Sequence, residues 1–282
     1  MTASWTFFDD EWKSGNVPLI GSMTQAVWLS SIVFDGARAF DGLAPDLDLH
    51  AARAIDSARK MGLEPREDVD EIVRRCEEGV RKFGSDAALY IRPMFFGEGG
   101  FIIPEPDSAR FALVIHELPM PAASGFSACL SKYRRPSPET AVTDAKASAL
   151  YPNVARALAA ARARGFDNAV KLDLNGNVAE FATSNLFMVK DGVAHTPTPN
   201  GTFLNGITKQ RVTNLLREDG VEVVERRVTW NDLVDADEVF STGNHGKVVP
   251  CVRLEDREVG RGKVGERARK LYFEFAKEHP VR

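Results

Sequence analysis

Apolar and polar positions change period along this chain, and the changes mark out its elements. Thr6-Phe-Phe-Asp-Asp-Glu-Trp12 reads as a strand turning at Asp9-Asp10. Ile32-Val-Phe34 and Ala37-Arg-Ala-Phe40 read as short strands around a tight turn at Asp35-Gly36. Apolar residues at every third position (Leu49, Ala52, Ile55, Ala58, Met61) predict an amphipathic helix stopped by Gly62. A second helix is predicted over 68–83, with Ile72, Val73, Cys76, Val80 and Phe83 facing inward. The runs Ala88–Phe96 and Arg110–Ile115 are apolar enough for central strands.

Leu118-Pro-Met-Pro-Ala-Ala-Ser-Gly125 combines two prolines with small residues, the composition of an extended linker. It predicts an N-terminal domain over 1–118, a linker over 119–125 and a C-terminal domain over 126–282. The second domain opens on a strand at Phe126–Leu130, a polar loop at Arg134–Thr140 and a helix over Tyr151–Ala163 closed by Gly165. Ala169–Asp173, Val178–Glu180, Asn185–Val189 and Val193–Thr196 follow as strands. The hairpin dipeptides Asn175-Gly176 and Asp191-Gly192 join them into a predicted meander. A helix over Ile207–Leu216, a strand at Glu238–Ser241 entering Thr242-Gly-Asn-His-Gly246, and a helix over 263–277 complete the pattern.

Composition narrows the function classes. The chain has 282 residues, 44% hydrophobic and 27% charged, an ordinary globular balance that allows one large or two medium domains. A net charge of −4 with interspersed signs lacks the concentrated basic face of a nucleic-acid binder. No apolar run approaches the ~20 residues of a membrane helix, and Met1-Thr-Ala-Ser-Trp5 has no basic segment of a signal peptide. A cytoplasmic protein with small-molecule partners is expected, with neither nucleic acid nor membrane. Cys76, Cys129 and Cys251 are too dispersed for a metal site and read as reduced thiols. The five histidines form no ligand cluster, so no metal is expected.

Three segments carry candidate chemistry. Lys146 lies in Thr143-Asp-Ala-Lys-Ala-Ser-Ala-Leu-Tyr-Pro-Asn153, among small and apolar neighbours. A lysine that condenses with an aldehyde does so as the neutral amine, which such surroundings favour. Glu180 is flanked by Val178, Ala179 and Phe181 in a strand predicted to be buried, where a carboxylate needs a cationic partner. Leu204-Asn-Gly-Ile-Thr208 opens a helix; Gly206 permits close approach, and the amides of Ile207 and Thr208, the Thr208 hydroxyl and the helix dipole suit a dianion. Each alone has an ordinary explanation: a surface lysine, an edge-strand glutamate, a helix cap.

In this order and spacing, with Tyr151 five residues after Lys146, the segments resemble the class IV aminotransferases, the branched-chain and D-amino-acid aminotransferase group. The resemblance extends from about Trp28 to Phe275. It implies an α+β protein of fold type IV, with a smaller α/β N-terminal domain and a larger β-barrel-like C-terminal domain with helices. It also implies pyridoxal 5′-phosphate between the domains, and a homodimer. In that family the lysine lies on a strand at the start of the second domain; here Lys146 would carry the cofactor and move the proton. Tyr151 would bond its phenolic oxygen, and Glu180 its protonated ring nitrogen. Arg53 and the Leu204–Thr208 segment would hold the phosphate. Gly243-Asn-His245 occupies a second phosphate- and carboxylate-binding turn; threonine and alanine are usual there, so Asn244 and His245 are departures.

On the substrate side, Tyr90-Ile-Arg-Pro93 resembles the Tyr-Ile-Arg-Pro of the branched-chain enzymes, so Tyr90 and Arg92 are implied to hold the α-carboxylate. Phe34-Asp-Gly-Ala-Arg38 resembles their Phe-Glu-Gly-Ile-Arg, which lines the side-chain pocket, while an upstream pocket tyrosine is replaced by Leu29. The implied reaction is ping-pong transamination between a branched-chain-like L-amino acid as donor and 2-oxoglutarate as acceptor. D-amino-acid and (R)-amine transaminases share the same cofactor residues, as do lyases resembling aminodeoxychorismate lyase, and a silent relative would keep the fold. The sequence leaves these alternatives open.

Overall fold

The computed structural model describes residues 3–282, which divide into two compact units. The first runs up to Met120 and also includes Asp144–Leu150 and Ala276–Arg282; the second comprises Pro121–Thr143 and Tyr151–Phe275. By its contacts the lysine segment therefore groups with the first unit, whereas a division at a single linker would assign it to the second.

In the first unit β1 (Ser4–Phe8) and β2 (Glu11–Ser14) form the expected hairpin. Asp9 and Asp10 take positive φ angles of 54° and 58°, as a two-residue hairpin turn demands. Then come α1 (Gln25–Leu29), β3 (Ile32–Phe34), β4 (Ala37–Ala39), α2 (Leu47–Lys60), α3 (Val69–Val80), β5 (Leu89–Gly97) and β6 (Ala109–Glu117). The sheet order is β2-β1-β6-β5-β3, with β4 also on β5.

The expected turn at Asp35-Gly36 is absent. Phe34 lies opposite Met94 and Ala37 opposite Ile91, three residues on along each chain, so β3 and β4 run in unbroken register along one edge of β5. The Asp35 amide donates to the Pro93 carbonyl at 2.9 Å, in line with that ladder. The buried face of α2 also differs from the every-third-residue reading. Leu47, Ala51, Ala54, Ile55 and Ala58 are buried, whereas Leu49 and Ala52 are exposed. A 3.6-residue helix keeps a stripe at alternating steps of three and four; a strict step of three rotates out of it. In α3, Ile72 and Cys76 are buried as expected, and the Asp68 carboxylate caps the helix by accepting from the Glu71 amide at 2.8 Å. Both helices pack on the β5–β6 face around Ile91, Phe95, Leu113 and Ile115.

The second unit contains β7 (Phe126–Leu130), α4 (Tyr151–Ala163), β8 (Asn168–Leu172), β9 (Val178–Phe181), β10 (Asn185–Lys190) and β11 (Val193–Pro197). They are followed by α5 (Ile207–Glu218), β12 (Val223–Arg226), α6 (Trp230–Val234), β13 (Glu238–Gly243), β14 (Lys247–Leu254), β15 (Arg257–Glu258) and α7 (Lys263–Ala276). The sheet runs β12-β11-β10-β13-β14-β7-β8-β9, with β15 on β14, and curls into a half-barrel. The expected meander is two separate hairpins, β8–β9 and β10–β11, with β13, β14 and β7 between them in the ladder. Strands buried on both faces belong in the middle of a sheet; β10 and β13 are buried at nearly every position.

Alternation splits the core of this unit. Leu186, Met188 and Val239 face one side with Phe181 and Cys251. Phe187, Val189 and Phe240 face the other, against Val212 and Leu216 of α5 and Tyr272 of α7. Each fully buried phenylalanine contributes about 1.5–3 kcal/mol by leaving water. No helix among the described residues is long and apolar enough to cross a membrane.

Candidate active site

Lys146 is held at the edge of β3. Its carbonyl accepts from the Phe34 amide at 3.2 Å, its amide donates to Ser57 Oγ at 3.1 Å, and Ala147 bridges to Val33. The segment is no strand of its own: that single bridge is followed by a 3₁₀ turn at Ser148–Leu150. Ala145 and Ala147 are buried, and Lys146 Nζ lies 5.3 Å from the centre of the Phe34 ring.

Arg53 and Ser57 are one turn apart on α2, so the helix that steadies the lysine backbone also presents Arg53. Arg53 grips Asp35 in a bidentate pair, Nε to Oδ2 at 2.6 Å and Nη2 to Oδ1 at 2.8 Å. His50 Nδ1 lies 2.7 Å from the same Oδ1, which also accepts from the Gly36 amide at 2.7 Å. Asp35 is fully buried. Burial alone would push its carboxyl up, but Arg53 and His50 outweigh it and hold the group well below the usual carboxylate range. Sequence reasoning took Asp35 for a turn residue; it is the anchor of Arg53.

Four candidate substrate residues share one sheet face. Phe34 and Arg38 stand on the same side as Tyr90 and Arg92, because Phe34 opposes Met94, Arg38 opposes Tyr90, and side chains alternate. His116 of β6 opposes Tyr90 in turn, with ring centres 5.5 Å apart, and the Arg92 guanidinium lies 5.3 Å from the Tyr90 ring centre. Arg38 is fully buried; Nη2 donates to the Leu118 carbonyl, while Nε and Nη1 have no hydrogen-bond partner among the described residues. Burial pushes its guanidinium down to about 10, with Tyr90 opposing. The His116 imidazole is likewise pushed down by burial, then by Arg92 and Arg38. This row is cationic and suited to a carboxylate. Leu29, the half-buried last residue of α1, is not part of it.

In the second unit the centre is Glu180 on β9. Arg135 Nη1 lies 3.4 Å from its Oε1, and Asn185 Nδ2 donates to its Oε2 at 3.3 Å. Asn185 also donates to the Leu204 carbonyl at 3.0 Å and accepts from the Gly206 amide at 3.0 Å. One amide side chain thus ties the carboxylate to the head of α5. A β-carbon at Gly206 would overlap Asn185 Oδ1, so glycine is required there. Gly206 is the N-cap of α5 and gives the helix no side-chain cap, leaving the turn of Ile207 and buried Thr208 to an outside acceptor.

Asn185 also pairs with Thr242 across β10 and β13, which brings the Gly243-Asn-His245 turn beside this group. Asn244 Oδ1 accepts from Lys247 Nζ at 2.9 Å. Thr242 Oγ1 and Asn244 Nδ2 are buried without a hydrogen-bond partner among the described residues, two donors that an anion would satisfy. His245 is exposed. Tyr151 opens α4 and is 39% exposed. A cavity of about 280 Å³ at the β8–β9 turn, lined by Asp173, Asn177 and Arg226 among others, contains none of these residues.

Three residues here escaped sequence reasoning: Arg135, Asn185 and Lys171. Lys171 is wholly buried on β8, opposite Glu180, and donates to Asn153 Oδ1. A charged residue within Ala169-Val-Lys-Leu172 carries the same signal that drew attention to Glu180.

Known proteins resemble this chain over most of its length. The amino-transferase class IV profile matches residues 32–254. The branched-chain-amino-acid aminotransferase of Escherichia coli (strain K12) is 30% identical over 97% of this chain and 92% of its own length. That of Pseudomonas aeruginosa is 35% identical over 86% of this chain and 83% of its own. An aminotransferase from Brucella abortus, solved bound to the co-factor PLP, superimposes with a TM-score of 0.96 at 50% identity, covering 98% of this chain and 99% of that one. With that profile spanning most of its length and relatives at 30% identity or more, the chain belongs to the class IV aminotransferases.

Proposed function

We propose that the protein transfers the amino group of a branched-chain-like L-amino acid to 2-oxoglutarate in two half-reactions, with pyridoxal phosphate as cofactor. The carrying observation is Asn185, which joins Glu180 to the Gly206 head of α5. A carboxylate and an anion-seeking helix start, fixed to each other by one side chain, suit a flat ring with a basic nitrogen at one end and a phosphate at the other. The unpartnered donors Thr242 Oγ1 and Asn244 Nδ2 fit the same anion.

When bound, the cofactor supplies an aldehyde carbon and a ring that accepts the electrons left at the substrate Cα. Lys146 Nζ would hold the aldehyde carbon until the substrate amine displaces it; as the freed amine it would then take the proton from the substrate Cα and deliver it at C4′, as base and then acid. Glu180 holds the proton on the ring nitrogen. Tyr151 binds the phenolic oxygen. Arg53, fixed by Asp35, binds the phosphate together with Leu204, Gly206, Ile207, Thr208, Gly243 and Asn244. Tyr90 and Arg92 orient the substrate carboxylate; Phe34, Arg38, Leu29 and His245 shape the rest. The branched-chain relatives support the donor class.

Lys146→Ala is expected to abolish turnover and the borohydride-fixable link to the cofactor; retained activity overturns the assignment. Offered L-leucine, D-alanine and (R)-1-phenylethylamine with 2-oxoglutarate, the protein is expected to favour L-leucine. Preference for either other donor, or product release without a keto acid, reassigns the substrate.

The working unit is a homodimer. Phe101, Ile102 and Ile103 are 74%, 71% and 79% exposed, and the half-exposed Trp28 packs on Phe101 with ring centres 5.5 Å apart. A contiguous apolar patch of this kind marks an association surface. Phe101→Asp with Ile103→Asp is expected to reduce the light-scattering mass from two copies to one; an unchanged dimer places the interface elsewhere.

A further inference from the structure

We infer that Lys171 is a positioning residue for Glu180: a second buried cation across the strand pair, it sets how strongly that carboxylate holds the proton on the cofactor's ring nitrogen. The inference rests on the role proposed for Glu180. Lys171 and Glu180 are direct antiparallel partners on β8 and β9, so their side chains share one face. Lys171 has no exposed surface, and its Nζ is directed by Asn153 Oδ1, two residues beyond Tyr151 on α4.

Neutralisation does not explain this lysine. Arg135 already pairs with Glu180 at 3.4 Å, and Asn185 supplies a further donor at 3.3 Å. Lys171 therefore adds a second cation to one carboxylate, in a strand where leucine or methionine would fill the space without desolvating a charge. The surplus is visible in the lysine itself: burial and then Arg135 push its amine down to about 8, against the pull of Glu180. Positive charge on this face repels a proton on the ring nitrogen and competes with it for the carboxylate. Lys171 thus restrains the grip that Glu180 and its companions would otherwise exert, and Asn153 fixes the amine where it does so.

The test titrates the visible absorbance of the bound cofactor with pH in the holoenzyme, beside its dissociation constant and the urea midpoint. Lys171→Met is expected to move the absorbance midpoint upward by about one pH unit; Lys171→Arg, which keeps the charge, is expected to restore it. Asn153→Asp sets a carboxylate on the amine without emptying the core and is expected to move the midpoint the same way, so the test survives a Lys171→Met protein that fails to fold. A urea midpoint that falls while the absorbance midpoint stays fixed in every folded variant overturns the inference and leaves the proposed function standing. A wild-type protein that binds no pyridoxal phosphate overturns both.

Discussion

Asp35, fully buried between β3 and β4, and Glu180, half-buried on β9, are carboxylates that each face an arginine, and they are held differently. Asp35 takes two short bonds from Arg53, a histidine nitrogen at 2.7 Å and a backbone amide at 2.7 Å. Glu180 has its arginine at 3.4 Å and an asparagine amide at 3.3 Å, with a lysine opposite that is bonded elsewhere. A carboxylate gripped at short range on both oxygens is a fixed point that locates its neighbours. Glu180, which faces two cations and an amide at the head of α5, is proposed to serve a partner that arrives from outside.

The sharpest way to break this comparison is to remove the charge at each site. Glu180→Gln is expected to lower kcat on the order of 10²–10³-fold, with the urea midpoint nearly unmoved. Asp35→Asn is expected to do the reverse: about 3 kcal/mol less stability, from leaving buried His50 and half-buried Arg53 without their shared anion. It should also weaken cofactor binding, while kcat at saturating cofactor stays near wild type. If Asp35→Asn loses kcat under saturation as Glu180→Gln does, the distinction fails.

Acid is a gentler probe. The folded-state pKa of Asp35 is depressed, so its contribution is complete above the unfolded-state value near 3.8 and is lost as pH falls towards the lower folded value. Melting temperatures recorded from pH 7 to pH 3 should therefore drop less steeply in Asp35→Asn than in wild type at the acid end; parallel curves would contradict the assignment. The smallest effect belongs to Ser57→Ala, which removes the bond to the Lys146 amide. A loss of about 1 kcal/mol in urea denaturation is expected, with kcat reduced more than cofactor affinity because the lysine backbone loses its tether. A kcat equal to wild type would show that β3 alone holds the segment.

What could be read from sequence was what is local. Helix α4 spans Tyr151–Ala163 as expected, ending before Gly165, β5 and β6 follow their apolar runs, and Lys146, Glu180 and Gly206 stand out by order and environment. What escaped depended on partners distant in sequence. Asp35 resembled a turn because Asp-Gly usually is one, and only the pairing of β3 and β4 with the same strand shows otherwise. Asn185 gains meaning from Leu204 and Gly206, and Arg135 from Glu180 and Thr202. Lys171 could have been caught: the cost of a buried charge applied to it as to Glu180.

The unbroken ladder through Asp35-Gly36 makes the spacing of Phe34, Asp35 and Arg38 a matter of parity. Even-numbered positions turn towards Tyr90 and Arg92, odd ones towards α2 and Arg53. Deleting or inserting one residue there would exchange the two sets downstream of the change, sending Arg38 towards the helix and its neighbours into its place. Variation along this stretch is therefore free to alter side chains one at a time, but not the count of residues between them.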